Sequence, residues 1–144
     1  MSDINFTVHA RSASPAKTIV KARNFEIIVD EPESLGGSDS AANPVEYVLA
    51  AFAGCLNVMC HVVAKEMKFD LKSLEIKLSG NLNPAKVLGQ KTDDRAGYKA
   101  IDVEIKADTD ADSATLEKWL EQVESRCPVS DNLSNITPIS FQLK

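Results

Sequence analysis

At 144 residues with 44% hydrophobic content, the chain is sized for a single domain, residues 1–144, able to close a core without disulfides. A net charge of −5 with scattered basic residues and no Arg/aromatic interleaving argues against binding to a phosphate backbone, hence against a nucleic-acid partner. No basic-then-apolar leader opens the chain, its central apolar run is short for a bilayer span, and its three cysteines are an odd count; a cytoplasmic chain with no membrane contact and redox-active or inert thiols is expected.

Residues 5–10 alternate weakly, with Phe6, Val8 and Ala10 on one side, and predict a first strand. After a loop at 12–16, residues 17–22 and 25–30 predict two strands joined near Arg23 and Asn24. Phe25, Ile27 and Val29 alternate with Glu26, Ile28 and Asp30, and Ile28 on the polar side suggests cover on both faces. Residues 31–42 hold Pro32, Gly36, Gly37 and small polar side chains, the composition of a loop.

The stretch 43–65 then predicts a long helix. Asn43 is a good N-cap, Pro44 suits the first helical position, and Glu46 completes an Asn-x-x-Glu capping box. From Val48 to Ala64 only Asn57 and His61 are strongly polar, so the helix has little face fit for water and is expected to be buried all round. Cys55 sits in its middle, sharing a side with Ala51, Phe52, Val58, Met59 and Val62.

Beyond a connector at 68–72, Leu74, Ile76 and Leu78 alternate with polar residues, as do Ile101, Val103, Ile105 and Ala107; the two strands are expected to pair antiparallel across the polar stretch 81–97. From Ser113 the period becomes helical, with Leu116, Trp119, Leu120 and Val123 on one side. Pro128 interrupts this helix near Arg126 and can restart a short one through about Leu133, placing Cys127 near its N-cap. Ile139, Phe141 and Leu143 predict a closing strand. The order describes an α+β fold, a mostly antiparallel sheet packed on the long central helix.

The segment DEPESLGGSDSAANPVEYVLAAFAGC, followed about seventy residues later by RCPVSDNL, resembles the OsmC/Ohr family of thiol-dependent peroxide-reducing proteins. The resemblance covers most of the chain and rests on the order of its parts: Leu35-Gly36-Gly37, the Asn-Pro helix start, the small-residue run into a helical cysteine, and a second cysteine before Pro-Val. It implies an intertwined homodimer in which both chains cover each central helix. It implies that Cys55 is the peroxidatic thiolate and Cys127 the resolving thiol, joined as a disulfide in each cycle and reopened by an external dithiol, with no metal and no bound cofactor. A role in oxidative stress defence against organic or lipid-derived hydroperoxides follows from it.

Locally, Cys127 has a helix N-terminus and Arg126 beside it, both of which favour a thiolate. Cys55 lies in an apolar helix interior, which raises a thiol's pKa, so it needs a cation from elsewhere in the fold or from a partner chain. In organic hydroperoxide resistance proteins an Arg from the N-terminal strands and a Glu at the helix start complete the site. Here alignment through Leu35-Gly36-Gly37 puts Ser14 near the Arg position, with Arg11 or Lys17 as substitutes, and Val45 at the Glu position, one residue before Glu46. Glu46 is nine residues before Cys55, on roughly the opposite side of the helix, so capping is its better reading. The chain thus resembles the OsmC-like branch rather than the organic hydroperoxide resistance branch.

Each residue also has a plainer role. A lone cysteine in an apolar helix is commonly a small core residue, and Cys60, about 140° around the helix from Cys55, is expected to be one. His9 and His61 lack ligand-spaced partners and predict no metal site. The alternative function is a non-catalytic dimeric protein of the same fold, binding a small ligand in an apolar pocket, its cysteines inert. A cysteine hydrolase ranks behind both, because neither histidine is placed to serve Cys55 as a base.

Overall fold

A computed structural model describes residues 1–144 as two compact units, Met1–Val48 and Leu49–Lys144. The N-terminal unit is an antiparallel sheet of β1 (His9–Ser12), β2 (Thr18–Ala22) and β3 (Phe25–Val29) in that order. The predicted first strand lies too early. The β1–β2 turn closes where the Ala13 and Ser14 amides donate to the Lys17 carbonyl, at 2.8 and 3.1 Å. That turn pairs Ser12 with Thr18 and His9 with Lys21, so the ladder ends before Phe6 and Val8, which are exposed.

The loop after β3 is organised by Asp30, which alternation alone places at a strand end. Its buried carboxylate accepts hydrogen bonds from the Glu31, Ser38 and Ser40 amides and from the Ser38 and Ser40 hydroxyls, the last two at 2.6 and 2.7 Å. Those donors, the serines first, hold Asp30 well below the usual carboxylate range. Gly37 has to be glycine, since a Cβ there would lie 1.8 Å from the Glu31 carbonyl oxygen. The loop delivers the chain to α1 (Pro44–Glu66), which starts in the predicted capping box: the Glu46 amide donates to Asn43 Oδ1 and the Asn43 amide to Glu46 Oε2, both at 2.9 Å.

The C-terminal unit contains the rest of α1, a hairpin of β4 (Leu71–Asn81) and β5 (Ala100–Thr109), and the helices α2 (Ser113–Arg126) and α3 (Pro128–Ser134). The β4–β5 register pairs Leu74 with Ala107 and Ile76 with Ile105, which puts the apolar alternation of both strands on one face. That face and α2 pack on α1. Phe52, Leu56, Cys60, Val63 and Ala64 of α1 form one core with Trp119 and Val123 of α2 and with Cys127. The α1 contributions recur at helical spacing, as one stripe.

Four further expectations need correction. The single sheet is two separate sheets, of three and two strands. The central helix is long but not buried all round: Val48, Val58 and Val62 are 36–57% exposed, because the elements of this chain cover one side only. At 23 residues and mean hydropathy 1.8 it is also, contrary to the expectation of a run too short for a bilayer, long and apolar enough to cross one by length and composition; its buried stripe packs in the core of this unit. Finally, no strand forms at Ile139, Phe141 and Leu143, which stay exposed. Alternation makes a segment fit for a sheet, but a strand exists only where an edge pairs with it.

Candidate active site

Two predicted residues that are 72 positions apart in sequence meet. The Cys127 thiol donates to Cys55 Sγ at 3.1 Å, about 1 Å beyond a covalent S–S bond, and both are free thiols. Cys55 is supplied by the middle of α1 and remains partly exposed, whereas Cys127 is buried. An incoming molecule therefore meets Cys55 first, with Cys127 behind it.

Cys127 is held by the break that Pro128 imposes. It caps the C-terminus of α2, its amide donating to the Glu124 carbonyl, and it is the N-cap of α3, its sulfur accepting from the Ser130 amide at 3.4 Å. Proline at the first position of α3 has no N–H to satisfy and forces Cys127 into an extended backbone, so helix turns into helix at the thiol. The local expectation of an easily ionised Cys127 fails on balance. The Ser130 and Val129 amides favour the thiolate, but burial, and after it the hydrogen bond to Cys55, push the thiol up.

Arg126 does not turn toward Cys127. Its guanidinium forks onto both carboxylate oxygens of Glu66, the last residue of α1, at 2.6 and 3.0 Å. That contact holds Glu66 below its ordinary value and Arg126 above its own. Glu66 was missed in the sequence reading, and only charge complementarity across 60 residues could have hinted at it. The other three supporting candidates belong to the N-terminal unit. Glu46 is engaged with Asn43 as described, Arg11 is exposed on β1 opposite Ile19, and Lys17 closes the β1–β2 turn, where its amide donates to Ser14 Oγ at 2.9 Å. Ser14, at the position where the resemblance wanted an arginine, is thus a turn residue.

The third cysteine is core, as expected. Cys60 is fully buried, and burial, with Cys127 nearby, pushes its thiol up to about 11. Its backbone carbonyl accepts the Trp119 indole N–H at 2.9 Å. His61 bonds its own helix, Nδ1 lying 2.9 Å from the Asn57 carbonyl oxygen, and no group of three or more His, Cys, Asp or Glu gathers in metal-holding geometry.

The arrangement suits two-electron thiol chemistry: an accessible sulfur, a buried sulfur within reach of it, and a rigid support under both. The family described as OsmC-like protein matches residues 37–142. Among solved structures, an OsmC-like protein from Mycoplasma pneumoniae superposes with a TM-score of 0.80 at 16% identity, over 94% of this chain and 91% of that one. An organic hydroperoxide resistance protein OsmC from Legionella pneumophila gives 0.65 at 19%, over 92% and 91%. An organic hydroperoxide resistance protein from Elizabethkingia anophelis gives 0.57 at 20%, over 90% and 88%. At such identities the superpositions speak for the fold alone. None of the curated proteins matches the chain in sequence.

Proposed function

This chain belongs to the OsmC-like protein family, and from that premise we propose that it is a thiol peroxidase for organic hydroperoxides, lipid-derived ones included, acting in oxidative stress defence as a single OsmC-like domain. The observation that carries the reading is the 3.1 Å approach of the Cys55 and Cys127 sulfurs. A pair that close can pass from dithiol to disulfide with little movement of either backbone.

In the proposed cycle the Cys55 thiolate attacks one oxygen of the peroxide O–O bond and becomes a sulfenic acid, while the other oxygen takes a proton and leaves as the alcohol. Cys127 then attacks the Cys55 sulfur, expelling the hydroxyl as water and closing the disulfide. An external dithiol reopens it by two thiol–disulfide exchanges, so each turn consumes one peroxide and one dithiol and releases one alcohol, one water and the disulfide of that reductant. The scheme calls on no metal and no bound cofactor. It requires a reducing compartment, which supports a cytoplasmic setting.

The apolar wall next to Cys55, including Phe52 and Met59, favours an organic substrate over hydrogen peroxide. With Arg126 engaged by Glu66, the cation that ionises Cys55 is proposed to come from the partner chain of a homodimer. The exposed valines of α1, Val48, Val58 and Val62, support such a dimer, since apolar side chains on one helix gain by leaving water together.

The second reading, a ligand-binding dimer with inert thiols, is favoured by one observation: burial dominates at Cys127, and no cationic side chain is among the groups acting on its thiol. One experiment separates the two. The reduced protein is exposed briefly to stoichiometric cumene hydroperoxide and mapped by mass spectrometry without reductant. Rapid formation of the Cys55–Cys127 disulfide is the expected result; thiols still unmodified after long exposure would leave the ligand-binding reading in place.

A further inference from the structure

The Arg126–Glu66 pair ties the residue before Cys127 to the far end of the helix that carries Cys55. Arg126 precedes Cys127 in the chain, and Glu66 ends the helix that carries Cys55. The contact is bidentate, at 2.6 and 3.0 Å, and about half open to water, at 38% and 53% side-chain exposure. We propose that Glu66 and Arg126 are positioning residues for the thiol pair: their clamp sets how often the Cys127 sulfur visits Cys55, and so fixes the effective concentration of one thiol at the other. The proposal rests on the Cys55–Cys127 pairing proposed above.

The geometry supplies the reason. Besides the apolar packing of Val123, α2 and the Cys127 junction that ends it make three hydrogen-bonded contacts with α1: Cys127 on Cys55, the Trp119 indole on the Cys60 carbonyl, and Arg126 on Glu66. These fall at α1 positions 55, 60 and 66, a span of eleven residues, or about 16 Å of helix. Val123 fixes α2 in the core up to its last turn, so the Arg126 tie acts on the few residues between Val123 and Cys127. Trp119 is locked in the core, so its tie does not yield. The Arg126 tie does, being exposed to salt and water. Cys127 is the C-cap of α2, where the α2 backbone has already left helical geometry, and helix ends fray most readily. A fork of two parallel bonds also fixes the orientation of the guanidinium, which a lysine ammonium does not.

The test uses the whole protein in buffers of reduced and oxidised glutathione, without peroxide. There the protein dithiol and one glutathione disulfide exchange to give the protein disulfide and two glutathione thiols, and the buffer ratio at half-oxidation reads the effective concentration directly. Acid quenching and peptide mapping give the Cys55–Cys127 disulfide fraction. Glu66→Gln and Arg126→Lys are each expected to lower the effective concentration by about fivefold, the scale of a well-formed but exposed ion pair. The swap of Glu66→Arg with Arg126→Glu is expected to recover most of it. In the unaltered protein, raising salt to 1 M should move the value toward that of the variants, a readout that needs no mutant to fold.

Single variants that keep the wild-type value within twofold, no recovery in the swap, or a wild-type value indifferent to salt would each overturn the proposal. A clamp that served stability alone would shift the melting midpoint and leave the glutathione ratio where it was. The peroxidase reading fails separately: a protein whose disulfide forms in glutathione but which consumes no peroxide loses that reading and keeps this one.

Discussion

The Trp119 indole N–H donates to the backbone carbonyl of Cys60 at 2.9 Å, a bond from the middle of α2 to the middle of α1, five residues beyond Cys55. Trp119 is itself buried and meets Phe69 edge to face, ring centroids 5.9 Å apart. It is a buried tie between the helix that carries the first thiol and the helix that ends at the second. Trp119→Phe should cost about 2 kcal/mol, from the lost hydrogen bond and the smaller ring, and Trp119→Ala about 3–5 kcal/mol. Urea unfolding followed by circular dichroism measures both; a Trp119→Phe variant as stable as wild type would show the bond to be dispensable.

The two thiols have different roles in the proposed cycle, and their variants should differ. Cys55→Ser is expected to abolish peroxide consumption. Cys127→Ser should allow the first step and stop the second, leaving one sulfenic acid per chain to be trapped by a 1,3-dione probe and counted by mass spectrometry. Peroxide turnover retained in Cys55→Ser would remove Cys55 from the role of nucleophile.

The buried thiols give a pH signature. Cys127 is raised above the ordinary 9.0, so its thiolate is scarce at neutrality, and disulfide closure after peroxide addition should quicken about tenfold per unit between pH 6 and 8. Stopped-flow tryptophan fluorescence can follow it. Cys60, pushed up to about 11, should resist iodoacetamide at pH 8 in the folded protein. Because its folded pKa is raised, the neutral thiol is the form the fold favours. The associated stability is therefore present below its unfolded pKa and lost as pH rises toward 11. The loss is about 2–3 kcal/mol and should be absent in Cys60→Ala, as seen by comparing urea midpoints at pH 8 and pH 11.

Dimerisation is proposed to cover the open side of α1. Val58 is 57% exposed on that helix, and Val58→Glu would place a charge where an apolar contact is expected. Sedimentation should show wild type as a dimer at micromolar concentration, and Val58→Glu should weaken self-association by about 100-fold, the effect of an unpaired carboxylate at an interface centre. A wild-type protein that stays monomeric and fully folded on dilution would discard the dimer.

Most secondary structure was legible because it depends on neighbours in sequence. The Asn43–Glu46 capping box, the helical period from Leu116 to Val123, the break at Pro128 with Cys127 near the next N-cap, and the alternation of β4 and β5 were readable from spacing, and the structure carries each of them, with Cys127 as the N-cap itself. The failures share one cause. The strand expected at residues 5–10 slid to His9–Ser12 because hairpin register is fixed by its turn, and the strand expected near Phe141 is missing because alternation does not bring a pairing edge with it. Asp30 was overlooked because its donors, Ser38 and Ser40, become neighbours only once the loop has folded back.

For the candidate site the division is sharper. The sequence alone carried the two cysteines, the helix that holds one and the helix junction that holds the other through local spacing and composition, and it carried the family through the resemblance of the motifs around them. Only the tertiary structure decided that the two sulfurs lie 3.1 Å apart, that Arg126 faces Glu66 and not the thiol beside it, and that burial outweighs the α3 amides at Cys127. Those outcomes depend on distances across the core and on access of water. Such quantities are set by how α2 lies on α1, and no window of the sequence contains both helices.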